Sequence, residues 1–447
     1  MCRMEQEDSV QNSENLTYEN TLNKPLKPLS TVLIMVCIYI FLIIERPWES
    51  IRYLEGWPIE RVFAIVMIII AFLNHKFKIV SSPTNKWVYG LLLLHFILSP
   101  FAFDTGFAFE QGVEYAKMVV LYLLMLSVAD DEESLKILIK AYVFSTMLYA
   151  AHSLWEYHNG RYVWRMGISR MIGVDETFND PNSFGASIVL SFPFAYALLR
   201  TELSTKMRKL YYAYFFLAVT CVVLTGSRTS FVALISLALF FVVVQKGKRF
   251  FVIATTALAL SSVVWFVMPA EKQERIRTLW DSEAGPANAH ASADGRMVGW
   301  KASWRMFKQT PFTGVGAGGK NYVGYRLNNQ VDDGARSGNQ SHILYGEVLA
   351  EFGIFGAFAF AGLIASIFKI NNFLRRTVQT NQVQTNQVQT FSAILPNAII
   401  AGLLLLLVFG IGGHNFYRPL WLWLAAWSGV LLRVTTVQYS LFNEDGR

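Results

Sequence analysis

Long apolar stretches recur through most of this chain, and they limit its possible folds more than any other feature does. About twelve of them approach the roughly 20 apolar residues that a helix needs to cross the hydrocarbon core of a membrane. Backbone N–H and C=O groups in lipid must be paired within the chain, so these stretches can only be helices. The sequence therefore predicts an all-α, polytopic membrane protein with about 12 transmembrane helices.

The composition of the chain agrees with this prediction. Hydrophobic residues make up 53% of it and charged residues 16%, whereas a soluble domain is about one-quarter charged. In a soluble protein the net charge of +7 would suggest a nucleic-acid partner. Here we interpret it as Lys and Arg that anchor cytoplasmic loops, and we expect no nucleic acid. The three cysteines (Cys2, Cys37 and Cys221) have neither a disulfide pattern nor metal-ligand spacing. We expect no metal and no cofactor.

The predicted spans are interrupted once, by a long polar loop from Pro269 to Ser341. The second span, from Arg61 to Leu73, is short enough to be re-entrant. The twelve spans centre on Ile38, Met67, Leu93, Leu121, Phe144, Val189, Phe216, Leu237, Leu258, Phe360, Leu405 and Ala426.

The distribution of Lys and Arg predicts the topology. Alternate loops are basic, and the loop from Gly106 to Gln111 has no Lys or Arg, which favours both termini in the cytoplasm. We divide the chain into a disordered cytoplasmic N-terminus (1–28), one transmembrane domain (29–437, including the extracytoplasmic loop 269–341) and a cytoplasmic tail (438–447). The Thr-Asn-Gln-Val-Gln repeat within 377–390 is interpreted as a tolerated cytoplasmic insertion. The basic loops carry Lys76, Lys78 and Lys86, then Arg200, Lys206, Arg208 and Lys209, then Lys246, Lys248 and Arg249, then Lys369, Arg375 and Arg376.

Four polar clusters are then predicted on the outer side, and the first is Gly226-Ser227-Arg228-Thr229-Ser230. It opens the helix that runs to Val244, and free N–H groups at a helix N-terminus attract anions. The planar guanidinium of Arg228 suits phosphate. The alternative is an interfacial arginine that only reaches lipid headgroups.

The second cluster is Asp294-Gly295-Arg296, at the start of a predicted amphipathic helix. Asp294 would cap this helix, which would lie flat on the membrane with Arg296 near the headgroups. An ordinary amphipathic loop helix with a solvated arginine is the alternative. Four glycines from Gly314 to Gly319 follow and predict tight turns, without the Lys-Ser/Thr of a phosphate-binding loop. The apolar face of the helix consists of Met297, Trp300, Trp304 and Phe307.

The third cluster centres on His342, where the long loop enters the next span. An imidazole can take a proton near neutral pH, although a lone histidine at an interface can equally be a hydrogen-bonded structural residue. Glu351 lies nine residues further on, on roughly the opposite side of the helix, so we do not expect it to orient His342. An intramembrane carboxylate is still a candidate functional group.

The fourth cluster lies in the loop from His158 to Gly185, which carries Arg161, Arg165 and Arg170. Three arginines on the outer side run against the positive-inside bias, and either an anionic ligand or lipid headgroups would explain them. Asp180 and Pro181 read as the N-cap and first residue of the next span. A lesser cluster runs from Gly413 to Arg418, before the last span. The sequence shows no metal-binding cluster and no Gly-x-Ser-x-Gly elbow.

In order and spacing these motifs resemble the bacterial O-antigen ligase and polymerase superfamily of multi-span glycosyltransferases. The resemblance covers roughly Leu121 to Leu432. This chain departs from the family pattern at Ile343, where a small polar residue usually follows the histidine. The motifs are Asp180-Pro181-Asn182, Ser227-Arg228-Thr229, Arg296-x-x-x-Trp300, Pro311-Phe312-Thr313-Gly314-Val315-Gly316, and His342 with Glu351 and Gly353.

The resemblance implies an inner-membrane enzyme that moves a glycan from undecaprenyl diphosphate to an acceptor hydroxyl. The acceptor would be another glycan, the lipid A core or a protein. Arg228 and Arg296 would bind the diphosphate and stabilise its developing charge, and His342 would act as general base. Further substrate-binding candidates are Arg161, Arg165, Arg170, Asn182 and Glu351. A transporter or flippase of lipid-linked sugars is the rival hypothesis, although no internal repeat supports it.

Overall fold

The computed structural model describes residues 29–165, 167–175, 179–243, 248–281, 288–331, 340–385 and 390–445. The fold is mostly helical, and each of the twelve positions at which a span was predicted lies in a helix. The predicted disordered segment 1–28 lies outside the described residues, as does part of the repeat within 377–390.

Within the described ranges, eleven helices precede or open the long polar loop. They are α1 (Thr31–Glu45), α2 (Pro47–Ser50), α3 (Ile59–Leu73), α4 (Asn85–Leu98), α5 (Thr105–Val128), α6 (Glu132–His158), α7 (Pro181–Thr201), α8 (Thr205–Thr225), α9 (Arg228–Val243), α10 (Lys248–Val267) and α11 (Ala270–Arg277). Five more follow: α12 (Asn288–Gln309), α13 (Gly319–Asn328), α14 (Leu344–Thr385), α15 (Phe391–Gly410) and α16 (Leu420–Asp445). Short 3-10 helices occupy Arg52–Leu54 and Ser99–Phe101.

Seven helical spans among the described residues are long and apolar enough to cross a membrane. They are α1 continued by α2, then α5, α6, α7, α8, the Leu344–Thr377 part of α14, and α15. The apolar parts of α9 and α16 are shorter, at Arg228–Val243 and Leu420–Thr436. The described residues thus support a multi-span membrane protein. The full count of twelve spans and the orientation of the termini stay predictions.

Two helices form the centre of the bundle. α15 packs against α7, α9, α14 and α16, and α7 also contacts α6 and α8. In α7, 72% of the most apolar stretch is buried inside the protein, and in α8 only 28% is. α8 therefore lies at the periphery. Trp427 of α16 and Phe194 of α7 are fully buried in this core, with ring centroids 5.0 Å apart.

A β-hairpin, which the sequence did not predict, connects α6 to α7. Strand β1 (Tyr162–Arg165) pairs antiparallel with β2 (Ile168–Met171), and Arg165 pairs with Ile168 beside the turn. Gly167 in that turn has φ of +76°, a left-handed conformation that glycine adopts at low cost. Ile168 is buried, and β2 packs against α8, so the hairpin folds back over the bundle and carries Arg165 and Arg170 with it.

The predicted start of α7 is confirmed. Asp180 Oδ2 accepts hydrogen bonds from the backbone N–H groups of Asn182 and Ser183, both at 3.0 Å, and Pro181 is the first helical residue. The predicted start of the amphipathic helix is wrong. α12 begins at Asn288, so Asp294 lies inside the helix and not at its N-cap.

A break in α14 receives the glycine-rich segment of the long loop. Gly353 has φ of +62° and ψ of −156°, which interrupts the helix and leaves backbone groups of that turn available. Val315 N–H donates to Ala350 O at 2.8 Å, and Ile354 N–H donates to Pro311 O at 2.8 Å. We call this contact between 311–319 and 350–354 the glycine junction.

Close approach of the two chains explains the glycines of the junction. A Cβ at Gly314 would lie 2.2 Å from Glu351 O, and one at Gly353 would lie 2.5 Å from Pro311 O, both too close for real atoms. Glu351 closes the junction from the side, because its Oε2 accepts from Gly318 N–H at 2.7 Å and from the Tyr417 hydroxyl at 2.5 Å. The glycines and Glu351 therefore hold two segments together.

Candidate active site

Five arginines from five different elements surround one pocket, which we call the arginine pocket. Its empty space is about 300 Å³, including the part open to solvent. Among the described residues that line it, none is acidic. The lining residues are Arg165, Arg170, Asn182, Arg228, Thr229, Arg275 and Arg296.

The hairpin arginine Arg170 is held at the ends of α7 and α8. Its Nε donates to Thr225 O at 2.7 Å and one terminal nitrogen donates to Asn182 Oδ1 at 3.1 Å. Asn182 Oδ1 also accepts from the Ser227 hydroxyl at 2.9 Å. Ser227 in turn receives the Ser230 N–H at 3.3 Å, which caps the first turn of α9. This chain of hydrogen bonds thus fixes the first turns of α7 and α9 and the Arg170 guanidinium between them.

The short helix α11 contributes Arg275, which the sequence analysis did not single out. Arg275 Nε donates to Gly226 O at 2.7 Å, in the tight connection between α8 and α9. Gly226 has φ of +56°, and a Cβ there would lie 3.0 Å from Ile168 Cδ1. On the other side of this connection Arg228 donates to the Thr278 hydroxyl at 2.9 Å. The loop between the two helices is thereby enclosed by positive side chains.

The electrostatics of the pocket favour a multiply charged anion. Burial and the nearby charge of Arg275 lower the pKa of Arg170 to about 9, and burial and Arg228 lower that of Arg275 to about 10. Burial and Arg228 also lower the pKa of Arg296. Guanidinium groups still remain charged in proteins, so their mutual repulsion is a cost that a bound anion would relieve. Asp180, 3.7 Å from Arg165, offsets only part of this charge.

Helix α12 positions Arg296 next to the segment that carries His342. Gly299 lies one turn after Arg296, and a Cβ on it would be 2.3 Å from Ser341 O. Ser303, a further turn along, donates its hydroxyl to Ser341 Oγ at 3.0 Å. The close packing at Gly299 therefore presses the residue before His342 against the helix face of Arg296.

The backbone at His342 is in a rare conformation and its side chain reaches solvent. Its φ of +52° is uncommon for a non-glycine residue and is often found at functional sites. Partial desolvation lowers the pKa of its imidazole, Arg296 and Arg165 lower it further, and Asp180 opposes them. The lowered pKa keeps the ring neutral, and therefore able to take a proton, at neutral pH.

A second histidine, His414, lies against the first. The two ring centroids are 5.1 Å apart with the planes tilted by 50°. His414 belongs to the loop between α15 and α16, 72 positions after His342, so no local sequence pattern pairs them. Burial and the neighbouring His342 and Arg418 lower the pKa of His414 to about 4.

Five of the eight predicted site residues therefore line the pocket, and three do not. Arg165, Arg170, Asn182, Arg228 and Arg296 line it, and His342 lies close enough to be influenced by Arg296. Arg161 instead donates to Val174 O at 2.7 Å. Glu351 is 2% exposed and bonded within the glycine junction. The sequence missed Arg275, whose only signal was positive charge in the long loop. It placed His414 in the lesser cluster before the last span but not among the site residues.

No group of three or more His, Cys, Asp or Glu side chains within the described ranges is arranged to hold a metal ion. The prediction that no metal takes part stays a prediction.

The fold and the site together define a class of protein: a multi-span helical membrane protein with a cationic pocket and adjacent imidazoles. Residues 213–361 match the family described as O-antigen ligase. The match confirms the resemblance to the O-antigen ligase and polymerase superfamily and indicates glycan transfer of that general type. The matched segment includes Arg228, Arg275, Arg296 and His342, whereas the hairpin and His414 lie outside it. No curated protein matches the chain.

Proposed function

We propose that this protein is a glycosyltransferase that moves a glycan from undecaprenyl diphosphate to an acceptor hydroxyl at the outer face of the bacterial cytoplasmic membrane. The convergence of five arginines on one pocket, with His342 next to Arg296, is the observation that supports this most. A lipid diphosphate carries concentrated negative charge and needs such a site close to the membrane surface.

The arginine pocket would bind the diphosphate in the ground state and stabilise it more strongly as the bond to the sugar breaks. Arg228 at the N-terminus of α9 and Arg296 on α12 are the assigned catalytic arginines. Charge on the leaving oxygen grows in the transition state, and fixed cationic donors lower the barrier because they need not reorganise. Arg165, Arg170, Arg275 and Asn182 would position the rest of the diphosphate.

His342 would be the general base. Its imidazole takes the proton of the acceptor hydroxyl, the hydroxyl oxygen bonds to the anomeric carbon, and the bond from that carbon to the diphosphate oxygen breaks. The electron pair of this bond leaves with undecaprenyl diphosphate. The lowered pKa of His342 favours this role, because a protonated ring could not accept the proton.

Two substitutions test the proposal directly. Arg228→Ala and His342→Ala should each lower glycan transfer by about 100- to 1000-fold in purified protein reconstituted with a lipid-linked donor and an acceptor. Both variants should still accumulate in the membrane. Arg277→Ala is the matched control, since Arg277 lies at the end of α11, is half-exposed and pairs with Glu274 at 2.7 Å. Normal transfer by both test variants would reject the assigned roles.

The rival function is transport or flipping of a lipid-linked sugar, and sealed vesicles separate the two. A flippase would move the labelled lipid across the bilayer without forming a new glycosidic bond. The proposed enzyme should release free undecaprenyl diphosphate for each glycan transferred. Translocation without this release would favour the rival.

A further inference from the structure

His414 is brought to the site by a loop that is anchored at several points. The loop between α15 and α16 passes so close to Arg296 that a Cβ at Gly412 would lie 3.2 Å from Arg296 Cζ and 3.2 Å from Thr229 Oγ1. Further along, Asn415 Nδ2 donates to Leu406 O at 2.9 Å and Trp421 Nε1 donates to Asn415 O at 2.9 Å. The position of His414 beside His342 therefore follows from packing on both sides of the loop.

The two rings are within the range at which aromatic side chains touch, 5.1 Å between centroids. Both residues keep part of their surface open to solvent although their rings are partly desolvated, so the acceptor substrate can approach either. At this separation an N–H of one imidazole can reach a nitrogen of the other after a small side-chain rotation. The pair thus provides one group that takes a proton and one that can accept a hydrogen bond from it.

The charges around the two rings make a neutral hydrogen-bond acceptor beside His342 useful. His342 faces Arg296, Arg165 and Asp180, and His414 faces Arg418 and Asp180. When His342 becomes protonated, its positive charge arises beside two guanidinium groups and is only partly balanced by one carboxylate. A neutral imidazole next to it offers a lone pair without adding a charge.

We propose that His414 is a positioning residue for His342: its neutral imidazole accepts a hydrogen bond from the protonated His342 ring and so orients and stabilises it. This deepens the proposed function and rests on it. The proton released by the acceptor hydroxyl forms the N–H bond on His342, and His414 supplies only a lone pair, so no further bond is made or broken.

His414→Ala and His414→Gln test this role together. We expect His414→Ala to lower kcat about 10- to 100-fold with the KM for the donor unchanged. In this variant the acidic limb of the pH–rate profile should also move to lower pH. Protonated His342 loses a stabilising hydrogen bond there, so the pKa of His342 falls. His414→Gln should recover most of the activity, since an amide oxygen can accept the same bond. His158→Ala, an exposed histidine at the end of α6, is the matched control.

A second measurement does not depend on activity. Carbethoxylation of His342 by diethyl pyrocarbonate, followed by mass spectrometry across a pH series, reports the protonation midpoint of that ring. The midpoint should fall in His414→Ala and stay near the original value in His414→Gln. Unchanged kcat and midpoint in His414→Ala would overturn the inference, and so would a loss of activity with an unchanged midpoint.

Failure of this inference differs from failure of the proposed function. If His342→Ala loses transfer but His414→Ala does not, only the role of His414 is wrong. If His342→Ala retains transfer, the base assignment itself is wrong, whatever His414 does.

Discussion

The arginine pocket and the glycine junction both contain residues that the sequence marked as candidates for the site, yet their polar groups are arranged in opposite ways. In the junction Glu351 Oε2 accepts two hydrogen bonds from the protein itself, and the glycines allow backbones to touch. In the pocket, like charges from the hairpin and from α9, α11 and α12 are brought together, and the described lining includes no carboxylate.

This difference separates structural from chemical roles. A buried acid that is bonded inside the protein needs no ligand, and its loss should first affect folding. Clustered guanidinium groups repel one another unless an anion joins them, so their loss should first affect binding and transfer. Each of the following predictions tests whether a given residue belongs to the first or the second kind.

The largest effect on folding is expected at the junction, for Gly353→Ala. Alanine is strained at φ of +62°, and its Cβ would lie 2.5 Å from Pro311 O, so we expect a cost of about 3 kcal/mol or more. Thermal unfolding in detergent and the amount of protein in the membrane measure it. Gly90→Ala in α4 is the control, because nothing lies within 4 Å of the added carbon. A stable Gly353→Ala variant would show that the junction is not a rigid support.

The pH dependence of transfer tests the pocket. The neutral His342 ring is the active form, and its pKa is lowered from the usual value near 6.5. The rate should therefore hold at neutral pH and fall about tenfold per pH unit only once the pH drops below that lowered pKa. A profile of kcat/KM between pH 5 and 8 measures this. If kcat/KM already began to fall at a pH above 7, the result would contradict His342 as a base that Arg296 keeps neutral at pH 7.

Glu351→Gln should have a moderate effect, and mainly on stability. The amide oxygen can still accept from Gly318 N–H and the Tyr417 hydroxyl, so we expect a loss of about 1 kcal/mol in unfolding free energy and little change in transfer. Glu351→Ala should lose more, because the two donors are then left without an acceptor. A Glu351→Gln variant that unfolds normally but transfers nothing would place Glu351 at the substrate, as the sequence had suggested.

The smallest effect is expected for Gly412→Ala. The added carbon would lie 3.2 Å from Arg296 Cζ and displace the guanidinium by a few tenths of an ångström. We expect the KM for the donor to rise about two- to fivefold with the thermal midpoint unchanged. Gly413→Ala is the control, since its added carbon would meet only Phe409 O at an ordinary 3.4 Å. Equal kinetics for the two variants would show that the loop does not constrain Arg296.

Features of the fold that depend on near neighbours in the chain were predictable. Apolar length located a helix at each predicted span, and the Asp180-Pro181 pair located the start of α7, because capping acts over three residues. The N-cap predicted at Asp294 was wrong because α12 starts at Asn288. The apolar face used for the prediction begins only after Asp294. The β-hairpin was missed because two strands of four residues give little periodicity among long apolar stretches.

For the site, the sequence by itself determined the kinds of group present: arginines in the outer loops and near predicted helix starts, and a histidine at the entry to a span. Only the tertiary structure decided which of them meet. It added Arg275, brought His414 of the lesser cluster against His342, directed Arg161 to Val174 O, and placed Glu351 in the glycine junction. The physical reason is range. Caps and periodicity act over a few residues, whereas a site built from a hairpin, four helices and a distant loop exists only once the whole bundle has packed.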